Sequence, residues 1–275
     1  MHAVKEFFTS RYKDGYLVEF DFSQLEIRVL AELSGCKNLL KDLELGLDMH
    51  CKSASLLYSG PYHHVKEAVD AGDPVWIRRR REGKTVSFQF NYGASDASIS
   101  KSTKVPTDRV KEYRQNYNSE YPEVQEFIIR NTCEIEGSKV PTGTKNGYQL
   151  HEGYLKLITG RELCFKQEVD KYKGGTRFSR QQIMNYPIQA TAADIVDVAL
   201  VQVCKFMENE TGCVIDTIHD SILCDLPDLS LVPYIQDVLE YTRERFEEVY
   251  DVEWKSLLPV DVKFGKNWAS MEKYV

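Results

Sequence analysis

The order of apolar and polar residues near the N-terminus predicts a strand followed by a helix. Residues 16–21 (YLVEFD) alternate in the manner of a half-buried strand, and the run LEIRVLAEL that follows has helical spacing. Ser23 and Glu26 match the S-x-x-E capping box, and Gly35 supplies a helix stop. This pattern places Asp21 at the turn between the strand and the helix.

Helical spacing predicts a second helix over residues 74–92. Asp73 is a suitable cap, Pro74 suits the first helical position, and Gly93 follows the last periodic residue. Gly83 inside this helix should weaken it by about 1 kcal/mol relative to alanine. The same spacing predicts three further helical segments, which are 107–136 with a break near 121–122, 188–207 and 229–250.

Short alternating runs in the last third of the chain predict strands. Residues 214–217 and 221–225 are separated by Ile218, His219 and Asp220, a spacing that is typical of a hairpin with His219 and Asp220 at its tip. The segment PVDVKFG (259–265) predicts a final strand. Residues 138–175 are rich in Gly, Lys and Thr, and we expect loops and a hairpin there.

Composition alone argues against a nucleic-acid partner, but the charge distribution reverses that inference. The 275 residues include 35 basic and 42 acidic side chains, for a net charge of -7. Residues 76–180, however, contain 20 basic and 13 acidic side chains between two acidic flanks. Because positive potential attracts phosphate, the middle segment is the one that we expect to face a polyanion.

The sequence shows no secretory signal and no apolar run of 18 residues, so we expect a cytoplasmic protein (host cytoplasm if viral) without a membrane partner. Seven scattered cysteines without C-x-x-C spacing are typical of reduced thiols.

Two cations and two aromatic residues form a stripe along one face of the predicted helix 74–92. The stripe consists of Arg80, Lys84, Phe88 and Tyr92, which are four residues apart and therefore share one helix face. Cations suit the oxygens of a triphosphate, and flat apolar rings suit a base and a sugar. From spacing alone, a solvated basic face with a core aromatic stripe is the favoured interpretation.

Two aspartates at predicted strand ends could form a metal site. Asp21 ends the first strand and Asp220 lies in the hairpin tip, so the carboxylates converge if those strands are neighbours. Two such carboxylates can hold two Mg²⁺ ions about 3.5 to 4 Å apart. The alternative is that Asp21 is a helix cap and Asp220 a turn residue.

These segments together resemble the DNA polymerase I family (family A). DFSQLEIRVLAELSG (21–35) is similar to its motif A, RRREGKTVSFQFNYG (79–93) to motif B, and IHDS (218–221) to motif C. LDMHCKSAS (47–55) and NYPIQATAAD (185–194) resemble two further segments, and all five follow the family's order. The resemblance implies an α+β fold with an antiparallel palm sheet that carries the carboxylates and mostly helical fingers. The implied boundaries are palm over 1–35 and 181–275 and fingers over 36–180.

The resemblance also implies a role for each matching residue. Asp21, Asp220 and the carbonyl of Phe22 would bind two Mg²⁺ ions, for which Mn²⁺ could substitute. Lys84 would protonate the pyrophosphate, and Glu26 would exclude a ribose 2′-hydroxyl, which favours deoxynucleotides over the substrates of the related RNA polymerases. The implied nucleotide-binding residues are Ser23, Gln24, Glu26, His50, Arg80, Lys84, Phe88 and Tyr92, and the implied DNA-binding residues are Arg28, Gly93, Asn185, Gln189 and His219.

Three positions depart from the family pattern. Ser221 replaces the glutamate that usually follows the motif C aspartate, which predicts altered metal dependence without loss of activity. Gln89 and Ala190 each replace a usual glycine.

The expected function is template-directed DNA synthesis with primer-template DNA and deoxynucleoside triphosphates as partners. Only 20 residues precede Asp21, so we expect that the thumb and exonuclease domains are absent and that a second polypeptide supplies them. This architecture suggests a bacteriophage enzyme. The alternatives are a catalytically weakened structural or DNA-binding subunit of a replication complex and, more distantly, a two-metal nuclease or phosphatase.

Overall fold

The computed structural model describes residues 2–170 and 174–274 and has the α+β fold that the sequence predicts. The helices are α1 His2–Lys5, α2 Leu25–Ser34, α3 Lys37–Glu44, α4 Met49–Tyr58, α5 Tyr62–Asp70, α6 Pro74–Asn91, α7 Asp96–Thr103, α8 Thr107–Glu120, α9 Pro122–Gly137, α10 Arg180–Met207, α11 Val232–Glu240 and α12 Thr242–Tyr250. The strands are β1 Tyr16–Phe22, β2 Val140–Lys145, β3 Tyr148–Lys156, β4 Glu162–Lys166, β5 Glu168–Val169, β6 Thr176–Arg177, β7 Cys213–Ile218, β8 Ser221–Leu226, β9 Val260–Gly265 and β10 Glu272–Lys273.

The chain divides into two compact units. The first unit combines the N-terminal segment up to Val29 with the segment from Gln189 onward, and the second unit is Leu30–Ile188. The assignment of these units to palm and fingers stays a prediction. Within the described part of the chain, no helix is long and apolar enough to cross a membrane.

An antiparallel sheet forms the centre of the first unit. Its strand order is β10-β9-β1-β8-β7, so β1 lies between β9 and β8. Val18, Phe20 and Phe22 are buried on one face of β1, whereas Glu19 and Asp21 are only partly buried. The alternation predicted from the sequence therefore places Asp21 on the less buried face at the end of a central strand.

The hairpin of β7 and β8 has the tip that the sequence predicts. Ile218 pairs with Ser221, which leaves His219 and Asp220 as a two-residue turn. His219 has a φ of 56°, the left-handed conformation that a tight hairpin turn requires.

In the second unit, α4 packs directly against α6. Gly83 permits this contact, because a Cβ atom there would lie 2.7 Å from the backbone nitrogen of Ala54. The predicted helix 74–92 is thus confirmed to within one residue, with Asp73 accepting hydrogen bonds from the backbone of Val75 and Trp76. Gly83, which looked like a weakness from propensity alone, is what allows the two backbones to approach.

One predicted helix cap and one predicted helix start are wrong. Helix α2 begins at Leu25 because Gln24 has a left-handed backbone (φ 57°), so Ser23 and Glu26 do not stand in the register of a capping box. Helix α10 begins at Arg180, eight residues before the predicted start, and contains Pro187. Proline lacks the backbone N–H but does not forbid a long, well-packed helix from continuing past it.

Two further segments also differ from prediction. The predicted helix 229–250 is two helices, α11 and α12, that meet at Tyr241, and this break allows both Leu239 and Phe246 to be fully buried. Residues 140–166 form a three-stranded sheet, β2-β3-β4, instead of loops with one hairpin. All six residues of β2 are exposed, so that strand lacks the apolar alternation by which sequence reasoning finds strands.

Candidate active site

The first unit brings two predicted metal ligands into contact. Asp21 is the next-to-last residue of β1 and pairs with Ser221, Asp220 lies in the adjacent β7–β8 turn, and the carboxyl groups of the two aspartates interact. The backbone N–H of Phe22 donates a hydrogen bond to the carbonyl oxygen of Asp220 (3.0 Å), which fixes the turn beside the end of β1.

Burial and like charge perturb the carboxyl group of Asp21. Burial, followed by the charges of Asp220 and Glu19, raises the pKa of Asp21 from 3.8 to about 6, while Lys263 partly opposes the rise. The Lys263 ammonium lies 4.0 Å from Oδ2 of Asp21 and 3.7 Å from Oε2 of Glu19. Two carboxylates held together despite their repulsion are typical of a functional site.

This donor set fits a divalent metal ion with a preference for oxygen ligands. Asp21 and Asp220 offer carboxylate oxygens, and the role of the Phe22 carbonyl as a third ligand stays a prediction. No cluster of three or more His, Cys, Asp or Glu side chains with metal-binding geometry occurs in residues 2–170 and 174–274. Ser221, at the position of the missing third carboxylate, donates its hydroxyl hydrogen to the carbonyl of Ile218 (3.0 Å).

The turn after β1 is held by the backbone of its neighbours. The N–H of Ser23 donates to the carbonyl of Pro259 (2.9 Å), and the carbonyl of Gln24 accepts from the N–H groups of Ile27 and Arg28. Glu26 follows in the first turn of α2, where it is partly buried. The structure therefore places Ser23, Gln24 and Glu26 in the segment that directly follows Asp21 and Phe22, which are predicted metal ligands.

The residues predicted to bind DNA have unlike surroundings within the first unit. Arg28 is buried, and its guanidinium donates to the carbonyls of Ser23 (2.9 Å) and Leu257 (3.0 Å). These bonds give Arg28 a structural role, and a contact between Arg28 and DNA stays a prediction. His219 and Gln189 are exposed, as a DNA contact requires.

In the second unit, Arg80 is held by an aspartate that the sequence did not single out. Nε and Nη2 of Arg80 lie 2.9 and 2.8 Å from Oδ2 of Asp48. Asp48 also caps α4, since its Oδ1 accepts from the backbone N–H groups of His50 (2.9 Å) and Cys51 (3.0 Å). Burial raises the pKa of Asp48, but the hydrogen bond from the backbone of Cys51 and the bond and charge of Arg80 together lower it below its usual value, so this carboxylate stays charged at neutral pH.

His50 and Lys84 complete a cluster of basic side chains with Arg80. The pKa of His50 is lowered, first by burial and then by the charges of Lys84 and Arg80. A lowered pKa leaves His50 neutral at physiological pH, able to donate one hydrogen bond from its ring. The Lys84 side chain is exposed. His50, Arg80 and Lys84 thus form one basic cluster at the contact of α4 and α6, and its binding of an anion stays a prediction.

The two aromatic residues of the stripe lie next to each other at the C-terminal end of α6. The ring centroids of Phe88 and Tyr92 are 4.5 Å apart, and 59% of Phe88 is exposed. Gly93, which follows, has a φ of 75° and lies so close to α10 that a Cβ would be 3.2 Å from Cα of Gln181. An exposed phenylalanine beside a fixed tyrosine offers a surface on which a base can stack.

Asn185 and Gln89 also lie in the second unit. Asn185 is partly buried on α10. The side-chain carbonyl of Gln89 accepts a hydrogen bond from the hydroxyl of Ser102 (2.6 Å), so this residue is tied to α7.

Sequence reasoning missed two site residues, Asp48 and Lys263. An aspartate before an apolar run predicts a cap at Asp48, but its pairing with an arginine 32 positions away has no signal in a single sequence. Lys263 lies opposite Glu19 in the register of β9 and β1. That register could be found only after the neighbours of β1 were known.

Comparison with known proteins gives one consistent result. The family model "DNA polymerase family A" matches residues 1–270. Thermostable DNA polymerase I of Thermus caldophilus is 29% identical over 254 residues, which are 92% of this chain and 27% of that protein. DNA polymerase I of Lactococcus lactis subsp. lactis is 24% identical over 258 residues, which are 93% of this chain and 26% of that protein.

A solved structure has the same fold. The POL domain of Pol1 from M. smegmatis, in complex with DNA primer-template and dNTP, superposes with a TM-score of 0.70 at 21% identity, covering 98% of this chain and 43% of that one. The chain spans about a quarter of the length of the curated relatives it matches. Because the family model matches almost the whole length of the chain, the chain belongs to DNA polymerase family A.

Proposed function

We propose that the chain is the catalytic part of a DNA-directed DNA polymerase. The primer 3′-hydroxyl would attack the α-phosphate of a deoxynucleoside triphosphate in line, and pyrophosphate would leave. The observation that carries the proposal is that the sheet register brings Asp21 beside the turn that holds Asp220, so that two carboxylates from distant parts of the sequence interact. Membership of family A supports the same reaction.

The first unit would hold the metal ions and the primer end. Asp21, Asp220 and the carbonyl of Phe22 would be the ligands, and bound Mg²⁺ would stabilise negative charge on the attacking and leaving oxygens. His219 and Gln189 are exposed and would contact the primer-template. Ser221 offers no carboxylate, so we expect that the dependence on metal concentration differs from that of a three-carboxylate site.

The second unit would bind the nucleotide. Arg80 and His50 would donate hydrogen bonds to triphosphate oxygens, and Lys84, the most exposed cation of the three, would protonate the departing pyrophosphate. Phe88 would stack on the base and sugar, with Tyr92 beside it. Charge-assisted hydrogen bonds and stacking together would bind a nucleotide whatever its base.

Glu26 would select deoxynucleotides by filling the space of a ribose 2′-hydroxyl. Glu26→Ala should therefore increase incorporation of ribonucleotides relative to deoxynucleotides. Glu26→Gln is the matched control because it preserves the volume of the side chain, and it should keep the selectivity. Equal selectivity of the alanine variant and the wild type would contradict this role.

A second candidate function is a catalytically weakened structural or DNA-binding subunit of a replication complex. The hydroxyl of Ser221, bonded to Ile218 where a carboxylate is usual, is the observation in its favour. A second polypeptide that supplies thumb and exonuclease functions, a bacteriophage origin and a cytoplasmic location also stay predictions.

Primer extension tests these proposals together. Wild type and Asp220→Asn are compared on a primer-template with Mg²⁺ and all four deoxynucleotides, with and without co-purifying polypeptides. Extension by the wild type but not by Asp220→Asn supports the catalytic function. Comparable extension by both proteins would disprove the metal assignment, and an inactive wild type in its complete assembly would favour the weakened subunit. A processive rate that no added polypeptide changes would disprove the need for a partner.

A further inference from the structure

We propose that Asp48 is a positioning residue for nucleotide binding, whose carboxylate holds the guanidinium of Arg80 in the orientation that binds a triphosphate. The inference deepens the proposed function and rests on it. Asp48 does not touch the reacting atoms in this account, because it acts through Arg80.

The two oxygens of the Asp48 carboxylate have separate tasks. Oδ1 accepts hydrogen bonds from the N–H groups of His50 (2.9 Å) and Cys51 (3.0 Å), which begin α4. Oδ2 accepts from Nε and Nη2 of Arg80 on α6. The backbone N–H of Asp48 donates to the hydroxyl of Tyr62 on α5 (3.0 Å). One residue thus fixes the start of α4, which carries His50, relative to the arginine on α6.

The pairing leaves Arg80 able to bind an anion. A guanidinium has five N–H donors in a rigid plane. Asp48 engages the Nε and one Nη2 donor and Cys51 is a further hydrogen-bond partner, so the remaining donors stay available to phosphate oxygens. The Arg80 side chain is 32% exposed, and that of Asp48 is 23% exposed. The contact is therefore partly shielded from water, while part of the Arg80 side chain stays accessible.

Two effects of Asp48 on triphosphate affinity have opposite signs. Its negative charge repels a triphosphate, so charge alone predicts tighter binding when Asp48 is neutralised. Its hydrogen bonds orient Arg80, so positioning predicts weaker binding when they are lost, because a free arginine must give up its rotamer freedom on binding. The sign of the change therefore decides between the two effects.

Asp48→Asn separates positioning from folding, because asparagine caps a helix as well as aspartate does. Binding of dATP with Mg²⁺ is measured by calorimetry on the full chain together with any co-purifying polypeptides. We expect Asp48→Asn to weaken binding about tenfold, the usual effect of losing a charge-assisted hydrogen bond. Asp48→Ser, in which the side chain also caps the helix but is too short to reach Arg80, should weaken binding to a similar extent. Asp73→Asn, the same change at the cap of α6, is the matched control and should bind dATP normally.

A double-mutant cycle shows whether Asp48 acts through Arg80. Without the Arg80 guanidinium there is nothing to position, so Asp48→Asn in an Arg80→Ala background should weaken binding no further. In steady-state extension, Asp48→Asn should raise KM for the nucleotide more than it lowers kcat. A structural role alone would not produce this coupling.

The possible failures are distinguishable. If Arg80→Ala weakens dATP binding but Asp48→Asn leaves it unchanged or tightens it, positioning is disproved and the proposed function stands. Additive effects of the two substitutions also disprove positioning. If the wild type does not bind dATP, or Arg80→Ala has no effect, the nucleotide site of the proposed function fails, and the role of Asp48 fails with it.

Discussion

Neutralising Asp21 should stabilise the metal-free protein even though it removes a proposed metal ligand. Burial and the neighbouring carboxylates of Asp220 and Glu19 raise the pKa of Asp21 to about 6. The folded state therefore binds this proton more tightly than the unfolded state does, and the ionised carboxylate reduces stability. The penalty is absent below pH 3.8, grows as the pH rises toward 6, and is complete above that value.

The size of the effect follows from the displacement of the pKa. One pH unit corresponds to about 1.4 kcal/mol, so the rise from 3.8 to about 6 would amount to about 3 kcal/mol if the group were fully shielded. The Asp21 side chain is 35% exposed, and water screens part of this repulsion. We therefore expect Asp21→Asn to gain about 1 to 1.5 kcal/mol at pH 8, or about 2 to 5 °C in Tm.

Thermal unfolding in EDTA at pH 8 and pH 4 measures this gain. Asp21→Asn should unfold at a higher temperature than the wild type at pH 8 and at nearly the same temperature at pH 4. Mg²⁺ should raise the Tm of the wild type but not of the variant, because only a ligand that binds the folded state stabilises it. Asp216→Asn, an exposed position on β7, is the control and should change little. A variant that is less stable than the wild type at pH 8, or equally stabilised at both pH values, would refute the reasoning.

Three further predictions concern the second unit. Gly83→Ala should destabilise it by about 1 to 2 kcal/mol in urea unfolding, because the new methyl group meets the backbone of Ala54 at 2.7 Å and this overpacking exceeds the gain in helix propensity; an increase in stability would contradict the close helix contact. Lys52→Met should cost about 2 kcal/mol, because Asp42, 3.2 Å from the lysine and only partly exposed, keeps the hydroxyl of Tyr121 as a partner but loses its positive charge; adding Asp42→Asn should recover part of the loss. Binding of dATP should raise the pKa of His50 in an NMR titration, since the bound anion offsets the burial and positive charge that lower it; an unchanged pKa would place the triphosphate elsewhere.

Local signals explain which parts of the fold were predictable. The start of α6 is marked by Asp73 and Pro74, and the tip of the β7–β8 hairpin by its short spacing, and both predictions were confirmed. In each case a few adjacent residues determine the local structure. The same holds for the end of α2 at Ser34, where Gly35 adopts a φ of 66°.

The predictions that failed depended on packing between distant parts of the chain. Neither glycine nor proline marks the break at Tyr241, which follows from the burial of apolar residues on both sides of it. Pro187 looks like a helix boundary in sequence, yet α10 continues through it. Strand β2 is polar and exposed, and the pairing with β3 that makes it a strand lies outside its own sequence.

The residues of the candidate site also divide into those that the sequence could identify and those that depend on packing. The chemistry-bearing residues Asp21, Asp220, Arg80 and Lys84 were identifiable from their types, spacing and family resemblance. Their partners were not, because the contact of Asp48 with Arg80 depends on how α4 packs against α6. The structure therefore contributes chiefly the residues that hold the chemistry-bearing groups in place, because those groups themselves were already identified from the sequence.

Single-turnover incorporation of one deoxynucleotide into a primer-template, with Mg²⁺ and the complete native assembly, tests the central claim most directly. Asp220→Asn is compared with Asp216→Asn, the same chemical change on the same hairpin at an exposed position away from the Asp21 carboxylate. The account predicts that Asp220→Asn lowers the rate at least about a thousandfold, since it removes a ligand of ions that supply several kcal/mol, and that Asp216→Asn leaves the rate unchanged. Equal rates for the two variants would contradict it.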